Sequence, residues 1–387
     1  MIYAITSSKD TTLYESEPTQ NTGLDGILQI SKEYDLDEPT EFNNSRFLIQ
    51  FNLTGISASI SAGTITSPSF YMKLYETERQ NVPLSYTIYA HPVSESWEMG
   101  YGKLSDFPIT TVGSSWTWKD YYPSGSNWAL SGSSYISNTS MSTDFAYESK
   151  DIYIDATTIV NQWLSASISN YGFVFKRSDT DESSSAWFGT LNFYGKETHT
   201  IYEPRLYVKW DDSSWSIKPS YYVSHSLAYK ESTYLPSASL SSSPTYDFYS
   251  GSMVYEYYSA MAPLTAENID VFSYRLGTSY KRDSKILFRV QGREKYIQKT
   301  FNRRFHSSSV QYLPSSSYYS ILDAHTNETI IPFDDDYTKL SLDYTGNYFK
   351  LWMDQFNTDR YYKFAYKIVS GSETKFFDNN FIFKVEK

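Results

Sequence analysis

The alternation of apolar and polar positions predicts a chain built mainly of β-strands. In the segment 70–75 the side chains of Phe70, Met72 and Leu74 fall on one face, which is the period of a half-buried strand. Similar short runs recur between clusters of Ser, Gly, Asn and Pro, a pattern typical of β-sandwiches. They lie at 27–31, 47–52, 70–75, 85–92, 172–176, 187–193, 205–210, 286–290, 347–352, 361–369 and 381–385.

One segment has the helical period instead. Within residues 156–164, Ile159, Val160, Trp163 and Leu164 are spaced to form a single apolar stripe. Asp155 or Thr157 could cap its start. We therefore expect one short helix closing an end of the first sandwich, whereas the segment 116–138, dense in Ser, Gly and aromatic residues, is expected to form long surface loops.

Composition agrees with a β-rich fold in more than one domain. Aromatic residues make up 18% of the chain, with 38 Tyr and 23 Phe, and such residues favour pleated, half-buried surfaces. The length of 387 residues exceeds what one hydrophobic core usually supports. The chain has no cysteine, which excludes disulfides, thiolate metal sites and cysteine nucleophiles.

A set of short phrases is spread along the first half of the chain. The phrases are Ser7–Tyr14, the Asn21-Thr22-Gly23 turn, Ser45–Phe51, the Trp97 region, Asp155–Trp163, Asn170–Phe173 and Pro204–Val208. In this order they resemble the jelly-roll module known as the DNRLRE domain, which is similar to carbohydrate-binding modules of microbial surface proteins. The resemblance implies a jelly roll of two antiparallel sheets. Two features depart from the module: the loops between Ser94 and Met141 are long, and the chain after Trp210 has no counterpart.

These observations predict an all-β protein of three parts. Residues 1–211 are expected to form a DNRLRE-like jelly-roll β-sandwich with one short helix. Residues 212–270 form a Ser/Tyr-rich connecting region, in which 237–244 is expected to be an exposed loop or linker. Residues 271–387 are expected to form a smaller, immunoglobulin-like β-sandwich that serves as a docking domain.

The segment 1–10 lacks a basic stretch followed by an apolar run, so no signal peptide is expected, and no window resembles a membrane span. The Tyr/Ser-rich, cysteine-free composition is similar to that of virion proteins of tailed bacteriophages, whose particles assemble inside the host. This similarity implies a non-enzymatic structural protein of the neck, tail, baseplate or capsid surface. Other virion proteins are the expected partners, together with further copies of the same chain in a homo-oligomer. No cofactor is expected.

Charge is distributed unevenly, which suggests a surface for docking. Residues 1–211 hold 13 basic against 25 acidic side chains, whereas residues 212–387 hold 20 against 19. The segment 275–304 contains ten basic residues and only two acidic ones, Asp283 and Glu294. This segment could be a solvated strand face, or it could dock onto an acidic subunit; nucleic-acid binding is less favoured because the whole chain is acidic. The candidate docking residues are Arg282, Arg289, Arg293, Lys295, Arg303 and Arg304.

The alternative function is adhesion through a host or surface glycan. Four tryptophans lie in or beside the long loops, where their indoles could stack on sugar rings or instead be buried over the ends of the sandwich. They are Trp97, Trp116, Trp118 and Trp128.

Other chemistry finds little support in the sequence. The five histidines form no close pair for a metal, and no Gly-x-Ser-x-Gly motif or other catalytic arrangement is present. The clusters 179–182 and 334–336 could supply oxygen ligands to calcium or be solvated turns, but neither has the spacing of a calcium loop.

Overall fold

The computed structural model describes residues 1–34, 42–122, 124–146, 151–216, 220–223, 253–256, 262–263, 269–296, 311–343 and 345–387. Strands account for 49% of the described residues and helices for 9%, so the predicted all-β, sandwich-like fold is confirmed. Among the described residues, no helix has the length and apolar character needed to cross a membrane.

The first 210 residues form a unit that we call the N-terminal sandwich. Each of the seven strands predicted in it is present, with ends that shift by a few residues at most sites. Its strands are β1 (Ile2–Tyr14), β2 (Ile27–Tyr34), β3 (Phe42–Phe51), β4 (Ser69–Leu74), β5 (Glu76–Gln80), β6 (Ser85–Pro92), β7 (Trp118–Tyr121), β8 (Gly125–Asn127), β9 (Met141–Ala146), β10 (Ile152–Asp155), β11 (Phe173–Lys176), β12 (Gly189–Tyr194) and β13 (Arg205–Lys209).

Two long strands connect the sheets of this sandwich. The first half of β1 pairs with β13, and after a shift in register between Ser7 and Lys9 its second half pairs with β3. The start of β3 pairs in turn with β2. One sheet therefore runs β10-β4-β13-β1 and a second runs β1-β3-β11-β6-β9, while β5, β12 and β2 extend the fold beside them.

Alternating side chains of these sheets meet in one apolar core. Phe70, Met72 and Leu74 are fully buried, as their spacing predicts. They pack in the same cluster as Phe47 of β3 and Phe173 of β11. At roughly 25 cal/mol per Å² of buried apolar surface, this burial is the main force holding the layers together.

Three α-helices lie in the described part of this half, and the sequence predicted one of them. The predicted helix is α2 (Thr157–Leu164): Ile159, Val160 and Trp163 are buried, and the Asp155 carboxylate accepts the Thr157 backbone N–H at 2.8 Å. The short helices α1 (Thr54–Ser61) and α3 (Asp179–Ser183) lie in Ser-rich segments without a long apolar stripe, which explains why the periodicity missed them.

The second half contains the C-terminal sandwich, which is formed by the described strands between residues 262 and 387. Its core is rich in aromatic rings: Phe288 stacks on Phe349, and Phe364 meets Phe349 edge to face. The described strands of this half are β14 (Ser220–Val223), β15 (Met253–Glu256), β16 (Ala262–Pro263), β17 (Ile269–Tyr274), β18 (Ser279–Lys281), β19 (Lys285–Glu294), β20 (Gln311–Tyr312), β21 (Ser317–Asp323), β22 (Thr329–Ile331), β23 (Ser341–Asp343), β24 (Gly346–Trp352), β25 (Tyr361–Ser370) and β26 (Glu373–Glu386). A sheet β16-β20-β19-β24-β23, with β17 also paired to β19, packs against a sheet β18-β26-β25-β21-β22.

The two sandwiches share a junction. Ile2, Ala4 and Tyr207 on the outer face of the β10-β4-β13-β1 sheet belong to the apolar cluster of the C-terminal sandwich, and Trp352 belongs to that of the N-terminal one. The Tyr207 hydroxyl donates to the Ile330 carbonyl at 3.1 Å across this junction. Most of the predicted connecting region 212–270, including 237–244, lies outside the described residues.

Candidate functional site

The long loops between β6 and β9 cover the outer face of the second sheet. Trp97, Trp116 and Trp128 pack there against Leu48 and Val174, and at most 8% of each tryptophan is exposed. Their burial leaves these three indoles with little surface for stacking on a sugar.

The buried indole N–H groups are hydrogen-bonded within the loops, and Trp118 alone of the four candidate tryptophans is partly exposed. The Trp97 Nε1 donates to the Tyr171 carbonyl at 2.8 Å, and the Trp128 Nε1 donates to the Ser115 carbonyl at 2.9 Å. Trp118 is partly exposed, but its ring lies 4.2 Å from that of Tyr121. The hydrogen bonds satisfy buried donors and thus favour a structural role for Trp97 and Trp128.

A buried ionic network fixes the cluster 179–182 to this face. The Glu182 carboxylate accepts two hydrogen bonds from Arg46, at 3.0 and 2.7 Å, and pairs with Lys176 at 2.9 Å. Arg46 also lies over the ring of Trp116. This carboxylate therefore pairs with side-chain cations, and within the described residues no group of three His, Asp or Glu side chains could hold a metal.

The Asn21-Thr22-Gly23 turn organises the next part of the loops. The Asn21 side chain is fully buried and donates to the carbonyls of Met99 and Ser114, both at 2.8 Å, while its oxygen accepts the N–H of Gly23 at 3.2 Å and of Gly102 at 2.8 Å. One asparagine thus ties the turn to two separate points of the segment 99–114.

Close packing against the Asn21 side chain requires glycine at position 100. Gly100 has a φ of +77°, and a Cβ at this position would lie 2.4 Å from the Asn21 Oδ1 and 2.2 Å from the Val112 carbonyl oxygen. Only glycine combines this backbone angle with such a close approach.

Beside this support lies the apolar loop, residues 101–109, which carries the most exposed hydrophobic side chain among the described residues of the N-terminal sandwich. Phe107 is 99% exposed, and Tyr101, Leu104 and Ile109 are between 43% and 61% exposed. Leu24 is also exposed and lies beside the loop, with its N–H bonded to the Gly102 carbonyl. Contiguous exposed apolar side chains of this kind mark interaction sites.

Hydrogen bonds hold the apolar loop in one shape. The Asp106 carboxylate accepts the Lys103 backbone N–H at 2.9 Å and the Thr110 hydroxyl at 2.7 Å, and these bonds hold its pKa below the ordinary value. Asp25 accepts the Leu104 N–H at 3.0 Å. A partner would therefore meet a preorganised surface, which lowers the entropy lost on binding.

The basic segment 275–304 is partly neutralised within its own domain. Arg289 pairs with Asp343 at 2.6 Å, and Arg293 pairs with Asp270 at 2.7 Å. Arg282 and Lys295 are exposed. Of the other predicted docking residues, Arg303 and Arg304 lie outside the described residues. These intramolecular pairs reduce the charge that Arg289 and Arg293 can offer to a partner. The sequence did not reveal them because the acidic partners lie on other strands.

A concave surface lies at the junction of the two sandwiches, and we call it the interdomain cleft. Its volume is about 400 Å³, within the range of small-ligand sites. Tyr153, exposed by 47%, stacks on Tyr71 with centroids 5.4 Å apart and an interplanar angle of 9°. The cleft is lined by Ile2, Lys73, Tyr153, Tyr207 and Lys209 of the N-terminal sandwich and by Glu328, Thr329 and Pro332 of the C-terminal one.

Charges around the cleft are largely paired. Lys209 bonds to Asp334 at 2.8 Å and lies over the ring of Tyr71, while Lys73 lies 3.4 Å from Asp151. The cleft therefore offers an aromatic face with polar donors and acceptors around it, and no strong excess of one charge. Such a lining suits a neutral polar ligand better than a highly charged one.

A scan against protein-family models found no match to this chain, and neither did a search of curated proteins. The DNRLRE resemblance accordingly stays a prediction that rests on the quoted phrases. The apolar loop and the interdomain cleft are therefore the two candidate sites of this chain.

Proposed function

We propose that this chain is a non-enzymatic structural protein of a tailed-phage particle, and that it docks onto other particle proteins through the apolar loop. The exposed side chain of Phe107 on a loop pinned by Asn21, Asp25 and Asp106 is the observation that supports docking. The assignment to a phage particle rests on the compositional similarity. The docking surface in this proposal is on the N-terminal sandwich, and the basic segment is a secondary contact at most.

Docking through the apolar loop predicts that Phe107→Ser lowers incorporation of the protein into particles at least tenfold, a loss of about 1.4 kcal/mol of binding energy or more. Incorporation is measured by quantitative mass spectrometry of purified particles after the host is supplied with wild-type or variant chain. Since Phe107 is almost fully exposed, the substitution removes no packing from the fold.

The matched control is Leu84→Ser, because Leu84 is another exposed apolar residue of the same sandwich, at 69%. It should leave incorporation unchanged. Absence of the wild-type chain from purified particles would contradict the phage assignment, and equal incorporation of Phe107→Ser would contradict docking through the loop.

The interdomain cleft supports a second candidate function, glycan binding. An exposed tyrosine face beside lysine, glutamate and threonine side chains can pack on a pyranose ring and bond its hydroxyls. Saturation-transfer NMR with a panel of methyl glycosides should then detect weak binding, with Kd on the order of 1 mM.

Tyr153→Ala should abolish that signal, while Tyr122→Ala, which removes a tyrosine that is 73% exposed elsewhere, should keep it. No transfer to any glycoside, or the same transfer in both variants, would argue against a glycan site in the cleft.

A further inference from the structure

Besides the interdomain cleft, the structure has a second cavity, which we call the socket, at the opposite end of β1 from the apolar loop. Its volume is about 350 Å³, and its apolar lining comes from Tyr3, Ile5, Ile56 and Trp352. The rings of Tyr3 and Trp352 lie 5.0 Å apart at 60°. Gly55 of α1 also lines the socket, and a Cβ at this residue would meet nothing within 4 Å. Trp352 and Ile56 are only 8% and 2% exposed, so the half-buried Tyr3 and Ile5 supply most of the accessible apolar surface of the socket. The socket is open, and its volume is large enough for a phenyl ring.

The loop and the socket of one molecule are too far apart to meet. Tyr3 lines the socket, whereas Thr12 receives a 2.6 Å hydrogen bond from Thr22 in the turn that supports the apolar loop. Nine residues of extended strand separate Tyr3 from Thr12, which corresponds to about 30 Å. Because hydrogen bonds hold the loop in place, its Phe107 could reach a socket only on another molecule.

The two features also match in chemistry. The rim of the socket carries Lys285, whose Nζ lies 3.8 Å from the centroid of the Trp352 ring, and Asp354, which accepts the Tyr3 hydroxyl at 2.9 Å. The apolar loop carries Lys103 and Asp106 beside Phe107. Each surface thus combines an apolar centre with one cation and one anion at the edge, so oppositely charged groups are available on both sides.

We propose that Phe107 of one copy inserts into the Tyr3–Trp352 socket of the next copy, so that the chains associate head to tail. This inference deepens the proposed docking function, on which it rests, by naming the partner as a second copy of the chain. A head-to-tail contact uses different surfaces on its two sides, and it produces a ring where the rotation closes and a filament where it does not.

Two single variants test the contact from its two sides. Phe107→Ser removes the inserted ring, and Gly55→Trp fills the socket from a helical position with open space around it. Sedimentation velocity of the full chain should show oligomers larger than a dimer for the wild type. Each variant should associate about 10- to 100-fold more weakly. Leu84→Ser is the control and should associate like the wild type.

Mixing the two variants gives the sharpest result. The Phe107→Ser chain keeps an intact socket and the Gly55→Trp chain keeps an intact loop, so one functional contact remains for each pair. We expect the mixture to form dimers and nothing larger. Thermal unfolding curves of each variant, matching that of the wild type, verify that the fold is intact.

Three outcomes would overturn the proposal: a wild-type chain that stays monomeric at every concentration reached, an unchanged association of either variant, or a mixture that forms no dimer. A failure of self-association can be distinguished from a failure of the proposed docking function. If the purified chain is monomeric while incorporation into particles still depends on Phe107, the loop binds a different particle protein and self-docking is refuted.

Discussion

Replacing Asn21 with alanine should lower the free energy of unfolding of the N-terminal sandwich by about 3–5 kcal/mol. The substitution removes four hydrogen bonds at a fully buried site and leaves the carbonyls of Met99 and Ser114 and the N–H of Gly102 without that partner. Each buried polar group left unpaired costs about 1–3 kcal/mol, and partial relaxation of the loop keeps the total below the sum. Urea unfolding followed by tryptophan fluorescence measures the change.

Asn21→Asp should be at least as harmful, because a carboxylate oxygen would replace the Nδ2 group that now donates to two carbonyl oxygens. Asn138→Ala is the control, since Asn138 is exposed and lies in the same long loop region. Hydrogen exchange should accelerate selectively in 98–114 of the Asn21 variants. An unfolding free energy within about 0.5 kcal/mol of the wild type would show that Asn21 does not anchor the loop.

The position of Asn21 illustrates what a sequence can and cannot predict. The turn itself is a local signal, carried by asparagine and glycine two residues apart, and the strands follow from the local alternation around residues such as Phe70 and Met72. The contacts of Asn21 reach Ser114, 93 residues away. Such contacts depend on how loops return to the sheet, which no short pattern encodes.

The buried tryptophans had a signal that could have located them. Phe47-Leu48-Ile49 and Phe173-Val174-Phe175 are apolar at consecutive positions, and strands of this kind are covered on both faces. The structure shows Leu48 and Val174 under Trp97, Trp116 and Trp128. Continuous apolar runs in strands therefore indicate that both faces are covered, and the tryptophans of the intervening loops are side chains available to form the second cover.

Docking residues were harder to predict because exposure is a tertiary property. Arg289 of β19 and Asp343 of β23 lie 54 residues apart in sequence and pair across β24, which lies between these two strands. A local surplus of cations in the sequence therefore overstates the free charge. For Phe107 the sequence instead understates the accessible surface. An apolar residue in a loop is most simply interpreted as a core contact, and only the fold shows that this side chain is 99% exposed.

The buried carboxyl group of Asp10 should make the stability of the N-terminal sandwich depend on pH in an unusual direction. Its side chain lies in β1, where one oxygen accepts the Lys196 N–H at 2.6 Å and the other finds no partner among the described residues. Burial raises the pKa of this carboxyl from 3.8 to about 7. The folded chain therefore holds the proton more tightly than the unfolded chain does.

The sign of the effect follows from this difference. Between about pH 4 and pH 7 the folded state binds more protons than the unfolded state at this residue, so stability falls as pH rises and levels off above pH 7. At about 1.4 kcal/mol for each pKa unit, the total loss is roughly 4 kcal/mol. Asp10→Asn keeps the shape and removes the ionisation, so the variant should be more stable than the wild type at pH 8 and lose this advantage at pH 4.

The convergence of the two stability profiles at low pH separates ionisation from simple loss of a contact, which would shift the variant by the same amount at every pH. Urea unfolding at pH 4, 5, 6, 7 and 8 measures the profiles, and Asp336→Asn, at an exposed carboxylate, should run parallel to the wild type. Because the Lys196 N–H joins β1 to the segment that precedes β13, opening of this link should be most frequent above pH 7 in the wild type. Parallel profiles for Asp10→Asn would contradict a carboxyl that binds its proton near neutral pH.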